Sequence, residues 1–125
     1  MTIVDIYCRS AVDGPETETK LQGQEAACRA YCQENGLTVG MVYHEVASGT
    51  TYQEREHLSL MRSRYRAQLI EGVVVTYAHR LVRNFDQLFA LLEEMEHYQI
   101  TLHCVNGNIE DIPAIQFLRA QKLWD

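Results

Sequence analysis

Two arginines three residues apart, Arg80 and Arg83, are the side chains whose type and spacing best suit chemistry on an anion. Guanidinium groups keep their charge at any working pH and bind phosphate oxygens in pairs, so phosphate is the favoured anion. The pair follows three consecutive valines at 73–75, typical of a strand buried on both faces. Asn84 then predicts a helix N-cap, with Gln87 placed to close a capping box. The alternative is that both arginines form surface ion pairs with some of the 17 acidic side chains.

Strand and helix patterns alternate along the whole chain around this loop. Strands are predicted over residues 2–8, 37–46, 73–77 and 100–105. Helices are predicted from residue 17 or 19 to about 35, from about 55 to 69, over 85–98 and from 113 to 124. This order predicts a three-layer α/β fold, with a mainly parallel sheet of four to five strands and helices on both faces. Ligands of such folds bind at the carboxyl edge of the sheet, where the two arginines fall.

Length and composition narrow the class of protein. The 125 residues, 46% apolar and 22% charged, suit one globular domain with a single core. No apolar run is long enough to span a bilayer and no signal peptide is recognisable, so a cytoplasmic protein is expected. The four cysteines are predicted to be buried free thiols, and no motif indicates a metal or a cofactor. The formal net charge of −6 predicts that this domain alone binds DNA weakly.

Four segments occur in the order, and at nearly the spacing, of one known family. They are Tyr7-Cys8-Arg9 at the end of the first strand, Gln24 in the first helix, Ser48-Gly49-Thr50 with Arg55 beyond, and the valine strand with Arg80 and Arg83. Together they resemble the catalytic domain of the serine site-specific recombinases, the resolvase and invertase family. The likeness covers about residues 3–112 and implies a resolvase-like fold.

The resemblance also implies an activity, which is DNA strand cleavage and rejoining through a phosphoserine link. By resemblance, Arg9, Arg80 and Arg83 would clamp the phosphoryl oxygens, and Arg55 would assist. The substrate-binding positions would be Tyr7, Gln24, Ser48 and His79. The implied partners are DNA and further copies of the chain, as a dimer or tetramer in the active assembly.

The sequence departs from the family at the nucleophile. In the family this serine falls two residues after the first arginine, and here that position is Ala11. Ser10 is the nearby hydroxyl and the predicted substitute, although a slip of one residue along a strand turns a side chain to the opposite face. In a loop the slip would be absorbed. The family's aspartate before the second arginine is His79, and its lysine two residues earlier is Tyr77.

Three functions therefore remain open. The first is a recombinase catalytic domain that uses Ser10. The second is a pseudoenzyme, a protein- or phosphate-binding module, which Ala11 and His79 favour. The third is a small α/β regulator that binds a phosphorylated ligand at the same arginines. Since the family's dimerisation helix and DNA-binding domain do not fit after residue 112, residues 1–125 are predicted to form a single resolvase-like catalytic domain.

Overall fold

The computed structural model describes residues 1–47 and 55–124. Within these ranges four strands form one sheet: β1 (Thr2–Ser10), β2 (Leu37–Val46), β3 (Gly72–Val75) and β4 (Thr101–Cys104). The order across the sheet is β2-β1-β3-β4, and every neighbouring pair is parallel. The chain leaves β1 towards β2 and then crosses back to β3. A ligand crevice is therefore expected between the carboxyl ends of β1 and β3.

Helices cover both faces of this sheet. The helix α1 (Thr17–Glu34) packs on one face, against the side chains of Val4, Ile6, Cys8 and Val74. The helices α2 (Glu56–Arg66), α3 (Phe85–His97) and α4 (Pro113–Trp124) bury their apolar residues in the core on the other face. Consecutive residues of β3 belong to alternate cores, as the two-residue period of a strand requires. The predicted three-layer α/β fold is confirmed.

None of the helices in the described ranges combines the length and the hydropathy needed to cross a membrane.

The loop between β3 and α3 begins earlier than predicted, and α2 likewise ends at Arg66 instead of residue 69. β3 ends at Val75 instead of residue 77, and a 3₁₀ turn, Ala78–Arg80, follows it. Asn84 is the predicted N-cap of α3, with its side-chain oxygen accepting a hydrogen bond from the N–H of Gln87 at 3.1 Å. The capping box is only half formed, because the Gln87 side-chain oxygen has no hydrogen bond partner within the described residues.

A β-bulge sets the register between β1 and β2. The pairing shifts by one residue opposite Asp5, which is fully buried. Asp5 Oδ1 accepts a hydrogen bond from the Met41 N–H at 2.8 Å, and the carboxylate also binds two further side chains. A Cβ at Gly40 would lie 2.7 Å from Oδ1, so glycine is required for this close approach. Beyond the bulge Arg9 pairs with Glu45, so the bulge determines which side chain of β2 faces the sheet edge.

Two glycine substitutions test this account. Gly40→Ala is expected to destabilise the fold by about 1–3 kcal/mol, because the new methyl group displaces a carboxylate that is held by several hydrogen bonds. Gly23 lies exposed in α1, and a Cβ added at this position would contact no neighbouring side chain. Gly23→Ala is therefore expected to stabilise the fold by about 0.5–1 kcal/mol. Urea denaturation of both variants measures the two effects, and an unchanged midpoint for Gly40→Ala would contradict the proposed role of the bulge.

Candidate active site

Four arginines converge at the carboxyl edge of the sheet. Arg9 lies near the end of β1, Arg55 immediately before α2, Arg80 at the end of the 3₁₀ turn and Arg83 in the loop before α3. Burial, followed by the charges of Arg55, Arg83 and Arg80, lowers the pKa of Arg9 to about 10. Like charges this close repel one another. The edge therefore carries a concentration of positive charge that suits an anionic ligand.

Arg9 is fully buried, and backbone carbonyls surround its guanidinium. Its Nε donates a hydrogen bond to the carbonyl of Arg80 at 2.8 Å, and its Nη2 donates to the carbonyl of His79 at 2.8 Å. Its Nη1 donates to the carbonyl of Ala47, after β2, at 2.9 Å. Arg9 thus joins the segments that follow β2 and β3 to the end of β1. Because the side chain is fully buried and each of its nitrogens donates one of these bonds, Arg9 contributes position and charge to the site.

A buried polar network lies beside Arg9 on the same face of the sheet. The hydroxyl of Tyr7 donates a short hydrogen bond to Glu45, and Arg55 Nη1 donates to the Tyr7 hydroxyl and to the carbonyl of Arg80, both at 3.3 Å. Glu45 also accepts hydrogen bonds from two backbone N–H groups in the first turn of α2, at 2.7 and 3.2 Å. It therefore anchors the amino end of that helix, where a carboxylate is favoured. Burial first, and then the bond to Glu45, raises the pKa of Tyr7.

Gln24 contacts the backbone of Arg9 from the α1 side. Its Oε1 accepts from the Arg9 N–H, and its Nε2 donates to the Arg9 carbonyl, both at 3.0 Å. Arg80 Nη1 lies 3.4 Å from that same carbonyl. The peptide of Arg9, immediately before Ser10, is therefore held by a side chain of α1 and by the arginine loop together.

Ser10 is the last residue of β1 and is 7% exposed. Its Oγ donates a hydrogen bond to the carbonyl of Val12 at 2.9 Å. Because side chains alternate along a strand, Ser10 leaves β1 on the α1 face, together with Cys8 and opposite to Arg9. Ala11, at the family's nucleophile position, is exposed. The structure thus places a hydroxyl at the arginine edge, with its proton directed to a carbonyl.

Arg80 and Arg83 retain donors for a ligand. Arg83 is exposed and makes no hydrogen bond or ion pair within the described residues. Arg80 Nε is buried and has no hydrogen bond partner among those residues. The alternative interpretation was that both arginines form surface ion pairs with acidic side chains. Within residues 1–47 and 55–124, neither arginine forms such a pair. A planar donor group left unsatisfied at a cationic edge is suited to bind oxygens of phosphate.

His79 lies at the same cluster. Burial, followed by the charges of Arg80, Arg83 and Arg9, lowers the pKa of His79, so its imidazole is neutral at neutral pH. Its ring stacks on that of Tyr77, with centroids 5.2 Å apart and an interplanar angle of 21°. His79 and Tyr77 are both exposed at the surface of the loop.

The structure brings most of the predicted site residues to one place. Direct hydrogen bonds link Tyr7, Arg9, Gln24, Arg55, His79 and Arg80, and Arg83 joins through its charge and its position in the loop. Ser10 lies at the same sheet edge but on the α1 face, and Ser48 lies outside the described residues. Sequence reasoning missed Glu45. The available signal was a carboxylate at the carboxyl end of a strand, next to the predicted Ser-Gly loop.

Two other chemistries find little support here. Cys8 lies next to Arg9, but burial raises the pKa of its thiol to about 12, so it is not a thiolate nucleophile. In residues 1–47 and 55–124 no group of three or more His, Cys, Asp or Glu side chains is arranged to hold a metal ion. All four cysteines are free thiols.

Comparison with solved structures identifies proteins that share this fold. The C-terminal catalytic domain of ISC1926 TnpA, an IS607-like serine recombinase, aligns with 98% of this chain and 79% of its own, at 22% identity and a TM-score of 0.76. The N-terminal catalytic domain of TP901-1 integrase aligns over 98% and 93%, at 20% identity and a TM-score of 0.79. A resolvase family site-specific recombinase from Streptococcus pneumoniae aligns over 99% and 91%, at 17% identity and a TM-score of 0.73.

Identities this low show the shared fold, and no curated protein matches the sequence. The family is shown by a sequence model described as the resolvase N-terminal domain, which matches residues 4–119. The resemblance inferred from the four sequence segments is thereby confirmed. The chain belongs to the resolvase N-terminal domain family, whose structural relatives here are catalytic domains of serine recombinases.

Proposed function

We propose that this domain binds a DNA phosphodiester at the arginine edge and cleaves and rejoins the strand with Ser10 as nucleophile. The observation that carries the proposal is the convergence of Arg9, Arg55, Arg80 and Arg83 at one sheet edge, next to a strand-terminal hydroxyl. Arg80 and Arg83 bind the phosphoryl oxygens. Arg9 holds the loop in place, and the summed positive charge stabilises the negative charge that develops in the transition state.

The reaction is a transesterification. A bond forms between Ser10 Oγ and phosphorus while the bond from phosphorus to a deoxyribose oxygen breaks, so no oxidant and no other co-reactant is needed. The Ser10 proton leaves Oγ, and the departing deoxyribose oxygen takes up a proton. Attack by that free DNA hydroxyl reverses the step and releases Ser10. His79, neutral at neutral pH, is an imidazole of this cluster that can accept the Ser10 proton.

This proposal has two structural requirements. Ser10 Oγ has to give up its hydrogen bond to the Val12 carbonyl before it can attack. The phosphate also has to approach from the α1 side of β1, because Ser10 lies on that face. Arg80 reaches this side, since its Nη1 lies 3.4 Å from the carbonyl of Arg9.

The proposal extends to partners and location. With a formal net charge of −6, the domain is expected to bind DNA weakly by itself and to act as a dimer or tetramer, in which further copies add contacts. We place it in the cytoplasm, and we treat residues 1–125 as a single catalytic domain.

A second candidate function is a non-catalytic module that binds DNA or another phosphate ligand. It is favoured by Ala11 at the nucleophile position and by the part-buried hydrogen bond that holds the Ser10 hydroxyl on the carbonyl of Val12. Binding would then use the same arginines without a covalent step. A regulator of phosphorylated small ligands is distinguished from both functions by a complete absence of DNA binding at low salt.

Covalent trapping on DNA separates the two candidates. Nicked duplexes of randomised sequence are incubated with the wild-type protein, and a protein–DNA adduct is sought on a denaturing gel. The wild type is expected to form it, and Ser10→Ala is expected to lower the yield by at least about a thousandfold, because the nucleophile is lost.

The control for this experiment is Ser63→Ala, which removes an exposed serine hydroxyl of α2 and should leave the yield unchanged. An equal adduct in Ser10→Ala rejects Ser10 as the nucleophile. If only Ala11→Ser forms an adduct, the wild-type protein is the non-catalytic module.

Phosphate binding by Arg83 is tested through the dependence of affinity on salt. Each phosphate neutralised on a duplex contributes about 0.9 to the slope of log affinity against log salt. Arg83→Gln is therefore expected to weaken duplex binding and to reduce that slope by about 0.9, as measured by fluorescence anisotropy. Arg119→Gln is the matched control, since Arg119 is an exposed arginine paired with Glu110. An equal change in both variants would show a general charge effect.

The pH dependence of binding tests His79. The pKa of His79 lies below its ordinary value, so the ring is neutral at pH 7 and gains a positive charge as the pH falls through that lowered pKa. A bound phosphodiester, whose own charge is constant in this range, raises the pKa again. Affinity is thus expected to increase from pH 7 to pH 5, by up to about tenfold for each unit by which DNA raises the pKa.

His79→Gln should remove this part of the pH dependence of binding, while the other histidines contribute equally to both proteins.

The stability of the free protein has the opposite pH dependence. Because the folded-state pKa is lower than the unfolded-state value, protonation favours unfolding, and this contribution destabilises the fold as the pH falls below about 6.5. If DNA affinity depends on pH in the same way for the wild type and His79→Gln, His79 is excluded from the binding site.

A further inference from the structure

We propose that Tyr77 and His79 form a stacking platform for the base of an unpaired nucleotide, whose phosphate binds to Arg80 and Arg83. The inference rests on the proposed function, because it uses the same phosphate site. It adds the class of ligand: a nucleotide whose base face is accessible, in a single strand or free in solution, in preference to one inside a duplex.

The geometry of the two rings is the first observation. Their centroids are 5.2 Å apart and their planes differ by 21°, so they form an offset stack. Tyr77 remains 45% exposed, and no other ring in the described part of the chain contacts it. An aromatic face that is left open to solvent at a cationic site is what a nucleic-acid base binds, and such stacking is tolerant of sequence.

A second ring pair shows what an ordinary packing contact looks like in this protein. Tyr31 of α1 and His103 of β4 have centroids 5.7 Å apart, but their planes are tilted by 59°. A hydrogen bond of 3.0 Å joins the Tyr31 hydroxyl to His103 Nδ1, and both side chains are half-buried. That pair fills space between a helix and the sheet. The pair of Tyr77 and His79 has no such bond and lies at the surface.

The charges beside the platform fit the rest of a nucleotide. Residues 77–83 carry both rings and both arginines that keep donors for a ligand. His79 directly precedes Arg80, and its carbonyl accepts a hydrogen bond of 2.8 Å from Arg9, so this residue lies beside the phosphate site. One loop can therefore bind the base of a nucleotide through the ring of Tyr77 and its phosphate through Arg83. Tyr77 would contribute a ring face and the arginines their guanidinium groups, so the two contributions are separable.

Rigidity is the third observation. Arg9 donates hydrogen bonds of 2.8 Å to the carbonyls of His79 and Arg80, so a buried side chain fixes the backbone of the platform. A preorganised platform loses little conformational entropy when a ligand binds. In duplex DNA both faces of each base are stacked on neighbouring bases, and exposing one costs energy. The platform therefore selects nucleotides that are already unpaired.

The test compares DNA probes that differ only in their bases. Fluorescein-labelled (dT)12, a deoxyribose-phosphate chain of the same length without bases, and a 12-base-pair duplex are titrated with the full chain at low salt. The wild type is expected to bind (dT)12 at least about fivefold more tightly than the chain without bases. Tyr77→Leu should abolish this preference and leave the affinity for the base-free chain unchanged. Tyr31→Leu, the matched control, should retain the preference.

Each outcome decides a different point. If the wild type binds (dT)12 and the base-free chain equally, the platform is rejected while the proposed phosphate site stands. If none of the three probes binds, the proposed function fails and the platform with it. Should Tyr77→Leu lose affinity for both single-stranded probes, Tyr77→Trp decides: a restored preference supports stacking, and its absence rejects it. Competition by dTMP indicates that the platform accepts free nucleotides, and failure to compete restricts it to nucleotides within a strand.

Discussion

The structure of this site depends on one buried cation. Arg9 has no exposed surface, and each of its three guanidinium nitrogens donates to a backbone carbonyl in the segments after β2 and β3. A buried charge is costly unless hydrogen bonds compensate it, and here the compensating groups are the loops that carry the site. The same bonds that stabilise the charge therefore fix His79 and Arg80 above the sheet edge. The position of the loop and the stabilisation of the buried Arg9 charge thus have the same cause.

The rest of the network limits the repulsion that four neighbouring arginines create. Glu45 is the buried carboxylate of this region, and it acts on the cations through the Tyr7 hydroxyl, to which Arg55 also donates. Its remaining hydrogen bonds go to the first turn of α2, so it joins the start of that helix to the site. The compensation is partial: burial is the main cause of the lowered pKa of Arg9, and the charges of Arg55, Arg83 and Arg80 add to it. An incoming phosphate supplies the missing negative charge, which is why the arrangement favours an anion over a neutral ligand.

Features determined by local sequence were predictable, and those determined by distant contacts were not. The bounds of β2 and the Asn84 cap follow from periodicity and capping chemistry, and both were predicted correctly. The third strand was predicted too long because residues 76 and 77 continue its β-branched and aromatic pattern. It ends early where Arg9, about 70 residues away in sequence, holds the loop carbonyls. The bulge opposite Asp5 and the role of Glu45 also depend on contacts between strands, which spacing along one segment does not reveal.

The position of Ser10 shows how far such local reasoning extends. The sequence left open whether a loop absorbs the one-residue slip from Ala11, and the structure answers that β1 continues through Ser10, whose carbonyl accepts a hydrogen bond from the Ala47 N–H at 2.9 Å. Strand alternation then places Ser10 on the face of Cys8. Arg80 Nη1 lies 3.4 Å from the Arg9 carbonyl, which also accepts a hydrogen bond from Gln24 of α1, so Arg80 reaches the peptide immediately before Ser10. In the proposed function, Arg80 therefore presents the phosphate to Ser10 while Arg9 holds the loop from the other side.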